Sequence, residues 1–222
     1  MILSMRTNQE YKNAALDSLR GNWAPAVLSV LALLFFVLLW VVPLQLPLYI
    51  PLSFLVIECI STGFSLVKIF LIAPLDAGVS NAFRLLYENR DDRIPGNMFR
   101  LAFSNYWHKV WGLFLKDLKL LLWMFLLIVP AIIMSFAYAM TPYILDEHPE
   151  ISAWDASYRS QEMMRGHKLR LFWLDLSFIG WMLLSVLTLG IGLLWLGPYM
   201  EVSRVAFYND LKAQQGEAAI ME

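Results

Sequence analysis

Asp117, Asp175, Glu201 and Arg204 stand in stretches otherwise rich in Leu, Trp and Phe, and Glu58 interrupts another such run. Ionisable side chains inside apolar spans are costly, so each calls for a partner, a water-filled cavity or a transported proton. Two arrangements suit Asp117, Asp175, Glu201 and Arg204. One is a polar pocket or ion path between helices. The other is a structural salt-bridge cluster that fixes helix packing, since a buried charge tolerates its surroundings once paired. Glu58 is the candidate protonatable residue; Lys68 lies too far along the same helix to pair with it. Other chemistry is poorly supplied. Cys59 is the single cysteine, so neither a disulfide nor a cysteine-based metal site forms within one chain. His108, His148 and His167 show no HxxxH or HExxH spacing, so no metal is expected. Gly190, Ile191 and Gly192 lack the Lys-Ser/Thr that follows a phosphate loop. With no GxSxG, nucleotide or paired-carboxylate motif, neither an enzyme nor a cofactor is expected.

The elements that must position these residues are apolar helices. The 222 residues are 59% hydrophobic and 16% charged, with a mean hydropathy of +0.57, against about 45–50% and about 25% for soluble domains. Seventeen basic and 18 acidic residues give no basic excess for a nucleic-acid partner. The charged stretch from Met1 to Gly21 has no apolar core, so no cleavable signal peptide is expected.

A single all-α membrane domain is predicted: a bundle of about six transmembrane helices in three hairpins, with amphipathic helices at the cytoplasmic interface. Residues 1–23 form an interfacial lead-in helix, opened by a capping box at Thr7 and Glu10 and carrying Tyr11, Ala15, Leu19 and Trp23 roughly on one side. Hairpin one spans 24–75, with an uncharged turn at Pro43 to Pro51. Residues 76–110 make a cytoplasmic connection that begins as an amphipathic helix. Hairpin two spans 111–145, turning at Pro130. Residues 146–170 hold a second amphipathic helix, capped by Ser152 and closed by a left-handed Gly166. Hairpin three spans 171–213; Gly190 and Gly192 permit its turn because glycine reaches positive φ without penalty. A polar tail, 214–222, is expected to fray.

The hairpins carry a weak internal repeat. Each return arm has a small-Pro-apolar or small-Pro-aromatic triplet, at Pro74, Pro142 and Pro198. The three turns hold no lysine or arginine, so the positive-inside rule puts both termini and the long connections in the cytoplasm. Counted back from the turns at ~1.5 Å per residue, Glu201 lies about 14 Å deep, Arg204 about 18 Å, Asp117 about 20 Å and Asp175 about 22 Å. Asp117, Asp175 and Arg204 therefore share one inner-leaflet depth. Lys116 and Lys119 are expected to snorkel toward the headgroups. Arg165, His167, Lys168 and Arg170 form the densest basic cluster and are candidate headgroup contacts.

Six motifs in order, LLIVPAII (126–133), TPYIL (141–145), SAWDASYRSQEMMRGHK (152–168), LSFIGW (176–181), LTLGIGLLWLGPY (187–199) and AFYNDL (206–211), with ALDSLRGNW (15–23) ahead of them, carry a resemblance. From Ala73 onward the chain resembles a bacterial membrane family known as domain of unknown function 975. Ala131 departs from the glycine usual there. The resemblance implies a bacterial inner-membrane protein and brings no activity, cofactor or catalytic residue. The leading expectation is a non-enzymatic, multi-pass protein that scaffolds, or binds lipid or partner proteins, at its cytoplasmic face. The alternative is a small transporter or channel-like carrier, in either case able to form homo-oligomers, that uses the intramembrane carboxylates.

Overall fold

A computed structural model describes residues 5–44, 63, 68–88, 93–126 and 128–221. Pro43, expected to open the first hairpin's turn, is still within the helix that runs to Leu44; Glu58, the rest of that turn and most of the second span lie outside the described residues. Among the described residues every regular element is helical. Helices α1 (Asn8–Leu19) and α2 (Trp23–Leu44) precede a π-helical turn, Lys68–Ile72, which leads into α3 (Ala73–Tyr87). Then come α4 (Ile94–Phe103), α5 (Tyr106–Leu126), α6 (Ile128–Ala137), α7 (Thr141–Glu147) and α8 (Ala153–Met163). The last are α9 (Lys168–Leu176), α10 (Ile179–Leu187) and α11 (Leu193–Met221).

Three stretches, Lys68–Tyr87, Val129–Glu147 and Lys168–Leu187, are long and apolar enough to cross a membrane. A fourth is added if α1 and α2, bent by 98°, count as one. Helices α5 and α11 fall outside this set because they carry charge: Lys109, Lys116, Asp117 and Lys119 on one, Glu201, Arg204, Asp210 and Lys212 on the other. The outer faces are apolar. Leu187 is 80% and Leu189 94% exposed, a large cost in water that hydrocarbon removes.

The segment expected to start the cytoplasmic connection, α3, is instead the centre of the bundle. Ala77, Gly78, Val79, Asn81, Ala82 and Phe83 are buried, and α3 meets α2, α4, α7 and α11. Gly78 allows the tightest approach: a Cβ there would strike the Met98 carbonyl and lie 2.9 Å from Ala102 Cβ. Helix α1 buries Tyr11, Ala15 and Leu19, against α11 rather than lipid; Tyr11 meets Phe207 edge-on at 5.5 Å. Its capping box is present, with Glu10 N–H donating to Thr7 Oγ1 at 3.4 Å and the Glu10 carboxylate accepting from the Thr7 backbone at 2.5 Å.

Two predicted spans are broken. Between α6 and α7, residues 138–140 leave the helix because Pro142 has no N–H and its ring would collide with a carbonyl one turn back. Ser160 of α8 repairs the gap: its hydroxyl donates to Ala137 O at 2.8 Å and accepts from Met140 N–H at 3.2 Å. Between α9 and α10, at Ser177 and Phe178, Lys12 of α1 donates to Ser177 O at 2.8 Å and rests 4.3 Å from the Phe178 ring centre. Pro130 lies within α6 without interrupting it. Pro198 likewise sits inside a continuous α11, which runs on as helix through the tail expected to fray. In the last turn Gly190 takes φ +85, as expected. Gly192 is needed for a different reason, since its Cβ would lie 2.7 Å from Ser185 Oγ.

Candidate functional site

Asp175 ends α9 just before the break, and Arg204 lies two turns into the polar half of α11. Their heads meet in a bidentate pair, Arg204 Nε and Nη2 donating to Asp175 Oδ1 and Oδ2 at 3.0 and 2.9 Å. Two parallel bonds fix the guanidinium in one plane. Glu201, one turn earlier on α11, accepts from the Tyr143 hydroxyl at 2.9 Å. Tyr143 in turn stacks on Tyr208 with ring centres 5.0 Å apart.

Asp175, Arg204, Glu201 and Tyr143 wall a cavity of about 360 Å³. Asp76, Ser80, Lys116 and Ser135 complete its polar lining, with Met140 and Ala139 from the α6–α7 break. Asp76 stands near the start of α3, just after the π-helical turn. Lys116, expected to snorkel, lines the cavity instead. Asp117 does not. Its carboxylate is 56% exposed, 3.7 Å from Lys116, and lines a second, apolar groove of about 890 Å³ with Lys68, Leu118, Leu121, Met124 and Ile132. Asp117 is one residue from the cavity-lining Lys116. The azimuth separates it: neighbouring residues on an α-helix point about 100° apart, so Lys116 and Asp117 serve different spaces.

A second charged cluster, absent from the sequence expectations, joins α3, α5, α7 and α11. Arg84 donates to Asp146 at 2.7 Å and Glu147 at 2.6 Å, and its Nε to Asn81 Oδ1 at 3.1 Å. Lys109, 2% exposed, pairs with the other Asp146 oxygen. Glu147 also accepts from Tyr208 at 2.6 Å and from Lys212 at 2.7 Å. The signal was present but ambiguous: Asp146 and Glu147 follow an apolar helix and read as a solvated loop.

The basic cluster expected at the headgroups is divided. Arg170 donates to the Met5 and Arg6 carbonyls at 3.2 and 3.3 Å and so ties down the N-terminal segment. His167 Nδ1 is buried without a hydrogen-bond partner among the described residues; burial, then the Arg170 charge, hold its imidazole below the ordinary value. Arg165 is exposed and Lys168 half-buried, beside a Gly166 at φ +83. Lys119 lies 3.8 Å from the Trp154 ring centre, a cation–π contact that joins α5 to α8. Among the described residues no three His, Cys, Asp or Glu side chains converge to hold a metal ion.

Residues 125–215 match the family described as Protein of unknown function (DUF975), the family the sequence resembles. The match takes in Asp175, Glu201, Arg204, the Asp146–Glu147 pair and both breaks; Asp76, Arg84, Lys109 and Lys116 precede it. No curated protein and no solved structure matches the chain.

Proposed function

We propose that the chain is a non-enzymatic protein of the bacterial inner membrane. It has six spans in three hairpins, both termini in the cytoplasm, and it binds a small charged or zwitterionic group in the cavity between α3, α5, α7, α9 and α11. One observation carries this reading. The cavity holds the carboxylates of Asp76 and Glu201 with no cation within ion-pair distance among the described contacts, whereas Arg84 and Lys109 are matched to Asp146 and Glu147. An open, part-satisfied polar space inside a bundle is costly unless water or a ligand completes it. The ligand face thus moves from the Arg165–Arg170 stretch, whose Arg170 is committed to the N-terminal segment, to the inter-helix cavity.

The test is chemical protection. In a Cys59→Ser background, Ser80→Cys in inverted vesicles is expected to react with a membrane-impermeant maleimide, and phosphoethanolamine is expected to slow that reaction. Ser157→Cys, in the packed core, should stay unreactive. An unreactive Ser80→Cys, or a rate indifferent to phosphoethanolamine, defeats the reading.

A carrier is the second reading. Met140 and Ala139, at the α6–α7 break, line the same cavity, and interrupted helices beside a mid-bundle site are the usual hardware of transporters. Proteoliposomes that accumulate labelled phosphoethanolamine, and fail to with Glu201→Gln, would favour it over simple binding.

A further inference from the structure

The charged cavity and the apolar groove are neighbours. Ser135 lines both, and the adjacent Lys116 and Asp117 send one side chain to each. From this polar end the groove follows α5 from Asp117 through Leu121 to Met124, and α6 from Ser135 through Ile132 to Ala131. The two helices pack side by side along the groove. Their polar residues coincide at one end and their apolar residues at the other, about 10 Å away. A polar cavity adjoining an apolar trough at Ser135 has the profile of an amphiphile: a charged head at inner-leaflet depth, with its chain toward mid-membrane.

The charges define the head. The cavity presents Asp76, Asp175 and Glu201 against Lys116 and Arg204, an excess of one negative charge that disfavours an anionic lipid. Arg204 uses Nε and Nη2 on Asp175, and a guanidinium has five donors, so Nη1 remains to meet a phosphate beside Lys116. Asp76 and Glu201 offer acceptors to an ammonium. A quaternary amine would bring no N–H to those acceptors; a primary ammonium brings three.

Resting on the charged-cavity reading above, we infer that the site takes a zwitterionic phospholipid bearing a primary ammonium. Its phosphate meets Lys116 and Arg204, its ammonium meets Asp76 and Glu201, and an acyl chain lies in the groove between α5 and α6.

The experiment is native mass spectrometry of the full chain released from vesicles of equal phosphatidylethanolamine and phosphatidylglycerol. Retention of the first in excess is expected. It should fall about tenfold with Glu201→Gln or Asp76→Asn, the loss of one charge-assisted hydrogen bond, and with Leu121→Trp, which fills the groove. Equal retention of both lipids, or retention indifferent to Leu121→Trp, overturns the inference. So does crosslinking that places residues 45–67 of this chain in the groove. A measurement without groove substitutions guards against misfolding: lysophosphatidylethanolamine should protect Ser80→Cys at about tenfold lower concentration than phosphoethanolamine. Should the two protect equally, the acyl site falls and the charged cavity stands; should neither protect, both fall.

Discussion

Two charged clusters lie in this bundle, built from the same residue types, and they differ in closure. Around Arg84 the head groups interlock: Arg84 and Lys109 gather the carboxylates of Asp146 and Glu147, Glu88 lies 3.8 Å from Arg84, and Asn81, Tyr208 and Lys212 add further bonds. Arg84 and Lys109 are 4% and 2% exposed. Around Arg204, the Asp175 pair is equally well aligned, yet Arg204 is 39% exposed and faces a cavity it shares with Asp76, Glu201 and Lys116. Charges that are buried and mutually satisfied lock helices together; charges that are aligned but left facing space are set for something that enters. Tyr208 and Tyr143, stacked on each other, bridge the two, one donating to Glu147 and the other to Glu201.

The comparison breaks most visibly at Arg84. Arg84→Met removes the cation shared by Asp146 and Glu147 and leaves them with Lys109 and with Lys212 and Tyr208, and the expected loss is about 3 kcal/mol of stability, read as a lower midpoint in detergent-mixed unfolding. A loss no larger than that of the cavity pair would show the two clusters to be alike. Asp175→Asn removes one side of the cavity pair. Because both partners are partly exposed, solvent screening limits the cost to about 1 kcal/mol, while protection of Ser80→Cys by phosphoethanolamine should change markedly. A fall in stability matching that of Arg84→Met would mark the Asp175–Arg204 pair as a second structural lock. The smallest effect belongs to neither cluster and serves as the reference. His167 is held below its ordinary value, so the fold favours the neutral ring; that contribution is present above pH ~6.5 and is lost as pH falls toward the lowered value. Acidification from about pH 7 to about pH 5 should therefore lower the wild-type unfolding temperature slightly more than that of His167→Gln. Equal drops would remove His167 from the account.

Much of this was readable in the letters. The apolar runs gave helices, Thr7 and Glu10 gave a capped start, and Gly190 gave a left-handed turn, because each depends on a few neighbouring residues. The polar cluster was readable in part: Asp117, Asp175, Glu201 and Arg204, far apart in the chain, group as candidates for one site because each interrupts an apolar stretch. Asp117 went astray because a rise per residue says nothing about which way a side chain faces. Lys116, one residue away, holds the place that Asp117 was expected to fill. Arg84 was passed over for a related reason: one arginine in an amphipathic pattern reads as a solvated face until helices close over it.

Composition and periodicity by themselves determined that this chain is helical, that several helices suit a membrane, and that a few charges must be accommodated among them. Those are local properties, set by apolar area and backbone hydrogen bonding. Only the tertiary structure decided which charges are sealed and which line a cavity, and that Ser160 and Lys12 would mend the broken spans. Those outcomes depend on the rotation of each helix about its own axis, which is fixed by contacts with distant segments such as Gly78 against Met98 and Tyr11 against Phe207.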